Sequence, residues 1–144
     1  MSTQEEIRIV LAEDDPAQAR LYAEVLNRKL GGSFHLEMFC DAVQAARHLQ
    51  THLIDVLITD LQMPNVDGLK LIRSAKERHR GVQVIVLTAC STTDSLIDAA
   101  DLGAADYLMK PFSHGLLVDV VEQAADRVRR WRSALADTLH GAAT

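Results

Sequence analysis

The chain has 144 residues, 48% of them hydrophobic and 24% charged. That is enough for one domain with a sizeable core and too little for two ordinary ones. Twenty Asp+Glu against fifteen Lys+Arg give a formal charge of −5, the wrong sign for a chain that grips nucleic acid by counterion release. No apolar run approaches the roughly 18 residues of a membrane span, and Met1 to Glu6 is polar and acidic, unlike a signal peptide. The expectation is a cytoplasmic protein whose domain takes neither nucleic acid nor membrane as a partner. Two cysteines, Cys40 and Cys90, are too few for a disulfide framework and too far apart for a close-spaced metal pair.

The first predicted element is the apolar run Ile7 to Ala12, which ends in Glu13-Asp14-Asp15. Pro16 suits the first turn of a helix, with Asp15 as its cap; Leu21, Tyr22, Val25, Leu26 and Leu30 keep helical spacing until Gly31-Gly32 stops it. Phe34, Leu36 and Met38 then alternate with His35 and Glu37, a weaker strand that fits an edge. Asp41 can cap a second helix bearing Ala42, Ala45, Ala46 and Leu49. Val56 to Thr59 is a continuous apolar strand ending at Asp60, followed by a helix with Leu69, Ile72 and Ala75. A fourth strand runs from Val82 to Thr88; Ser91, Thr92 or Thr93 can cap the helix of Leu96, Ile97 and Ala100. A short run, Tyr107 to Met109, leads into Lys110-Pro111 and a last helix.

Continuous apolar strands belong to sheets covered on both faces, and each parallel crossover needs a helix to return the chain. Five strand-helix units therefore predict an open, doubly wound α/β domain. In such folds the site lies beyond the carboxyl ends of the strands. There the sequence puts Glu13, Asp14 and Asp15 after the first strand, Asp60 after the third, Thr88 after the fourth and Lys110 after the fifth. Taken singly, each has a plain role as a cap or a surface charge. Together they collect the polar exceptions to the apolar strands at one end. Two carboxylates about 4 Å apart repel by roughly 4 kcal/mol at an effective dielectric near 20, so Glu13, Asp14 and Asp60 call for a cation or a proton. Oxygen-only ligands suit Mg²⁺. A metal, an ammonium and a hydroxyl around Asp60 is what a phosphoryl group there needs for charge neutralisation.

These residues resemble the receiver domain of bacterial two-component response regulators. The likeness covers about Ile7 to Arg127. It rests on Ile9-Val-Leu-Ala-Glu-Asp-Asp15, on Ile58-Thr-Asp-Leu-Gln-Met-Pro-Asn-Val-Asp-Gly68, on Leu87-Thr88-Ala89 and on Asp106-Tyr107-Leu108-Met109-Lys110-Pro111-Phe112. The resemblance implies a flavodoxin-like (βα)5 parallel sheet of order 2-1-3-4-5. It implies Asp60 as phosphoacceptor, with Mg²⁺ held by Asp14, Asp60 and the backbone carbonyl of Gln62, and by Glu13 through water. It further implies Thr88 and Lys110 on the phosphoryl oxygens, Thr88 and Tyr107 as the switch pair, and a cis Lys110-Pro111 bond. The donor would be a histidine kinase or phosphotransfer protein, so the domain is a signalling acceptor and no conventional enzyme. A phosphatase of the haloacid dehalogenase type is the enzymatic alternative, but it needs a second acid two residues after the nucleophile, where this chain has Gln62.

Some residues depart from the pattern or lie outside it. Asp15 adds an acid best read as a helix cap. Cys90 is read as a packed small residue, with a redox-sensitive thiol as the alternative, and the six histidines show no mutual ligand spacing. The charge surplus lies wholly between Met1 and Phe112, whereas 113–144 is balanced and packs Arg127, Arg129, Arg130 and Arg132 together. Leu117, Val121, Ala124, Val128, Trp131, Leu135 and Thr138 fall at alternating spacings of four and three, a coiled-coil seam. Residues 1–127 are thus expected to be the receiver domain, and 128–144 an extension of its last helix. Either that extension dimerises the protein or leads to an output domain, or it folds back on the rim.

Overall fold

The computed structural model describes residues 6–63, 68–89 and 93–143. Strands and helices alternate through β1 (Ile7–Ala12), α1 (Pro16–Lys29), β2 (Phe34–Phe39), α2 (Ala42–Thr51), β3 (Val56–Asp60), α3 (Gly68–Arg78), β4 (Gln83–Thr88), α4 (Thr93–Asp101), β5 (Asp106–Met109) and α5 (His114–Ala143). All strand pairs are parallel. The sheet order is β2-β1-β3-β4-β5, as expected. The interior strands β3 and β4 are buried almost throughout while β2 is only half-buried, in keeping with its edge position.

Strand alternation divides the core in two. Ile9, Leu11, Ile58, Ile85 and Leu87 face α1 and α5, where they meet Leu26, Leu117 and Val121. Val10, Leu57, Val84 and Val86 face the other way, against Leu49, Leu71, Ile72 and Ala99. Each such side chain removed from water contributes about 1.5–3 kcal/mol, so the two layers hold the sheet from both sides.

The predicted punctuation is present. Asp15 caps α1, its Oδ1 accepting from the N–H of Ala17 at 2.9 Å and of Gln18 at 3.3 Å, and Pro16 opens the helix. Asp41 caps α2 by accepting from the Val43 N–H at 2.8 Å, and Gly32 follows α1 at φ 82°. Lys110-Pro111 is cis. Cys40 is a half-buried free thiol. Cys90 and the cap candidates Ser91 and Thr92 lie outside the described residues, as do residues 64–67 of the loop after Asp60.

At 30 residues, α5 is about 45 Å long at 1.5 Å per residue. Its first half packs Leu117, Val120, Val121, Ala124, Ala125 and Val128 into the core. Beyond Val128, Arg132 still ties the helix down, donating to Asp55 Oδ1 at 2.6 Å and to the Glu6 carbonyl at 3.2 Å. Asp55 is itself fixed, because its Oδ2 accepts the Arg8 N–H at 2.8 Å. The remaining turns leave Trp131, Leu135 and Leu139 exposed. Thr138, expected in the seam, turns its hydroxyl to the Ala134 carbonyl at 2.8 Å.

Candidate functional site

Glu13, Asp60, Thr88 and Lys110 stand at or one step past the end of a strand, where ladder hydrogen bonds still fix the backbone. The Glu13 N–H donates to the Phe39 carbonyl at 3.0 Å, extending the β1–β2 ladder. The Lys110 N–H donates to the Thr88 carbonyl at 2.7 Å, extending β4–β5. Asp60 is opposite Leu87 in the β3–β4 register, so Thr88 lies one step beyond it on the neighbouring strand. Backbone register alone therefore carries Glu13, Asp60, Thr88 and Lys110 to one edge of the sheet.

Lys110 binds the group together. Its Nζ donates to Glu13 Oε1, to Asp60 Oδ2 at 2.9 Å and to Gln18 Oε1 at 3.0 Å. Asp60 is 5% exposed and Glu13 0%, so the two carboxylates are taken out of water together. The second oxygen of Asp60 accepts the Gln62 N–H at 2.9 Å. Asp14 is exposed, yet ligand atoms of Glu13, Asp14 and Asp60 all lie within 4.8 Å of one another. Glu13 Oε2 is buried with no hydrogen-bond partner.

That last oxygen has an electrostatic consequence. Burial pushes the Glu13 carboxyl up to about 7, against the lowering pull of the Lys110 ammonium. Burial pulls Lys110 the other way, but the carboxylates of Glu13 and Asp60 more than offset it and hold the ammonium above its ordinary range. One cation shared among three oxygens leaves the acids under-compensated. An added hard cation fits this donor set, since Glu13 Oε2 is a buried acceptor without a partner in a cluster with the carboxylates of Asp14 and Asp60.

Thr88 is buried at the same edge, whereas Tyr107 is 51% exposed. The tyrosine does not touch the acids; it lines a surface hollow of about 410 Å³ with Leu96, Ile97, Ala100 and Ala105. The sequence reading missed Gln18, whose Oε1 also accepts from the Tyr22 hydroxyl at 3.4 Å. A polar residue in the first turn of a helix looks like solvated surface. Its one clue was a position four residues after Asp14, one turn above the acids. Gly68 stands in the sequence as one residue of a longer motif, but its space is decisive. A Cβ there would run into the Asp60 carbonyl oxygen and come within 2.7 Å of Leu61 Cα, so only glycine lets α3 start against the end of β3.

Fold and edge together define a doubly wound α/β domain whose acid, hydroxyl and ammonium groups meet at the carboxyl ends of the strands. Residues 9–122 match the family described as "Response regulator receiver domain". The chain belongs to this family: it is a receiver domain of two-component response regulators. It is 34% identical over 137 residues to the "DNA-binding transcriptional regulator NtrC" of Escherichia coli K12, a match covering 94% of this chain and 29% of that protein. It is 36% identical over 107 residues to the "Transcriptional regulatory protein MalR" of Bacillus subtilis, covering 74% of this chain and 45% of the relative. The chain thus spans less than half the length of either curated relative. Among solved structures, the receiver domain of the Francisella response regulator 1452 superposes with a TM-score of 0.73 at 26% identity, covering 84% of this chain and 98% of that one. A CheY-like receiver from Methanospirillum hungatei gives 0.80 at 19% identity, covering 86% and 97%, a likeness of fold. The dehalogenase-type alternative finds no support among these matches. Among the described residues no helix is long and apolar enough to cross a membrane.

Proposed function

We propose that this domain accepts a phosphoryl group on Asp60 from the phosphohistidine of a histidine kinase or phosphotransfer protein. The observation that carries this reading is the buried Asp60 carboxylate held by Lys110 on one oxygen and by the Gln62 N–H on the other. In the transfer, an Asp60 oxygen forms the new P–O bond as the P–N bond to the donor imidazole breaks. The imidazole departs with the bond's electron pair and takes up a proton. Lys110 keeps a positive charge beside the acyl phosphate, and the Thr88 hydroxyl donates to a phosphoryl oxygen. Asp14, Asp60 and the Gln62 backbone carbonyl, with Glu13 acting through water, would hold Mg²⁺, which would supply the remaining charge neutralisation. Asp60 is then consumed as an acceptor and regenerated by hydrolysis, so the domain works as a switch and its only catalysis is on itself.

The switch runs from Thr88 to Tyr107. Capture of Thr88 by the phosphoryl group vacates space that the half-exposed Tyr107 ring turns into, which reshapes the hollow between α4 and β5. The readout is a downstream protein or an output domain, with residues 1–127 as the receiver and 128–144 as the helical extension toward it. The exposed Trp131 and Leu135 favour a homodimer through that helix. The working compartment is the cytoplasm, where the kinase domain presents its phosphohistidine.

Acetyl phosphate with Mg²⁺ should label the parent protein and leave Asp60→Asn unlabelled; equal labelling of both refutes the acceptor assignment. Sedimentation with and without beryllofluoride tests the dimer, and a monomer under both conditions overturns it.

A further inference from the structure

At the opposite end of the sheet from Asp60, two elements bring a second set of metal-binding groups together. His48 lies in the last turn of α2, and His52 follows the helix as its C-cap in an extended conformation. The two imidazoles stack with centroids 4.1 Å apart and planes at 10°. Strand alternation supplies the complement. Phe34 and Leu36 point to the α1–α5 core, which leaves His35, Glu37 and Phe39 on the α2 side of β2. Phe39 meets the His48 ring at 5.0 Å, and His35 Nε2 is 3.0 Å from Glu37 Oε1. All four polar side chains line one small hollow of about 30 Å³, about the volume one water takes in the liquid.

We propose that His35, Glu37, His48 and His52 form a site for a divalent first-row transition-metal ion, with Zn²⁺ as its natural probe, that fastens the edge strand β2 to α2. Three imidazoles and one carboxylate are a nitrogen-rich, borderline donor set that suits Zn²⁺, Co²⁺ or Ni²⁺ and not Mg²⁺. The His52 tautomer is already set for it. Thr51 Oγ1 lies 2.8 Å from His52 Nδ1 and within reach of the Arg47 and His48 carbonyls, at 3.3 and 3.4 Å. A hydroxyl that donates its one proton to a carbonyl accepts from Nδ1–H, which leaves the Nε2 lone pair of His52 for a metal. The C-terminus of α2 adds its negative dipole end. Arg8 lines the same hollow and opposes a cation; Glu37 supplies the offsetting charge. Among the described residues, Glu13, Asp14 and Asp60 are the one group of three or more whose ligand atoms all lie within 4.8 Å of one another as they stand. Closure at the histidines therefore requires rotation of the exposed His35 and His52 side chains, which gives up the His48–His52 stack and the His35–Glu37 contact.

The test separates the two ends of the sheet. The doubly substituted Asp14→Asn, Asp60→Asn protein, which lacks the acidic cluster, is titrated with Co²⁺ by visible absorption and with Zn²⁺ by calorimetry. One ion per chain with a tetrahedral Co²⁺ spectrum is expected, insensitive to excess Mg²⁺. Outer-sphere partners of metal ligands are worth 10–100-fold in affinity, so losing a direct ligand in His48→Gln or His52→Gln should weaken binding by at least about tenfold. Histidine ring resonances of the unsubstituted protein provide a readout independent of any variant's folding, with His35, His48 and His52 shifting on Zn²⁺ addition. Absence of a Co²⁺ spectrum, binding that survives His48→Gln and His52→Gln, or shifts confined to His79, His114 or His140 overturns the proposal.

Discussion

Glu13 makes the domain's stability depend on pH in a direction opposite to that of ordinary carboxylates. The unfolded carboxyl ionises near 4.5 and the folded one near 7, because burial outweighs the pull of Lys110. Between those values the folded chain keeps a proton that the unfolded chain has released. The stabilisation is therefore whole below about pH 4.5 and is lost as pH rises through about 7. A displacement of this size corresponds to about 3 kcal/mol at 1.36 kcal/mol per unit. For a domain of this length that is roughly 10 °C in melting temperature. The assay is urea unfolding followed by far-ultraviolet circular dichroism at pH 5, 6, 7 and 8 without divalent ions, on the parent and on Glu13→Gln. Glutamine keeps the shape and an acceptor for Lys110 but cannot ionise, so the difference between the proteins isolates this one group. The parent should lose stability relative to the variant as pH rises. A difference that stays constant across the range, or grows in the parent's favour, would refute the burial argument.

Four further outcomes follow from the same geometry. Mg²⁺ should bind about tenfold more weakly at pH 6 than at pH 8, because a carboxyl with a pKa of about 7 is about one-tenth ionised at the lower pH and nine-tenths at the higher; calorimetry in buffers of different ionisation enthalpy counts the proton released. Gly68→Ala should cost about 1–3 kcal/mol of stability in chemical denaturation, since the new methyl meets the backbone of Asp60 and Leu61 rather than a yielding side chain. Arg132→Ala should cost no more than about 1 kcal/mol, as the pair with Asp55 is partly solvated, yet it should speed amide exchange in the turns of α5 beyond Val128. Asp55→Ala should cost more, because it also strips the acceptor from the Arg8 N–H.

The strands were legible because the interior of a two-faced parallel sheet leaves uninterrupted apolar runs, and Val56–Asp60 is buried at every position. The edge position of β2 could be read for the converse reason, since His35 and Glu37 interrupt its run. The site was legible as far as backbone register reaches: acids after β1 and β3, a hydroxyl after β4 and an ammonium after β5 need only the fold to meet. Contacts set by side-chain reach were not. Gln18 finds Lys110 across 92 residues of sequence and Arg132 finds Asp55 across 77, and neither polar residue disturbs a helical pattern that would flag it. The histidines show the same limit, because His48 and His52 acquire their neighbours only once β2 is placed beside β1.

The clamp at Asp55 fixes more than the position of the last helix. A helix advances about 100° per residue, so holding Arg132 against the end of the sheet also fixes the azimuth of every side chain after it. Trp131, Leu135 and Leu139 succeed one another every four residues, and each step turns about 40° past the last. The exposed apolar stripe therefore winds around the rod rather than running straight along it. Its compass bearing relative to Asp60 is set by the core packing of the first half of α5 and held at the far end by Arg132. A single inserted residue between Arg132 and Leu135 would swing Leu135 and Leu139 more than a quarter turn away from Trp131 while leaving the receiver's core and its acidic edge untouched.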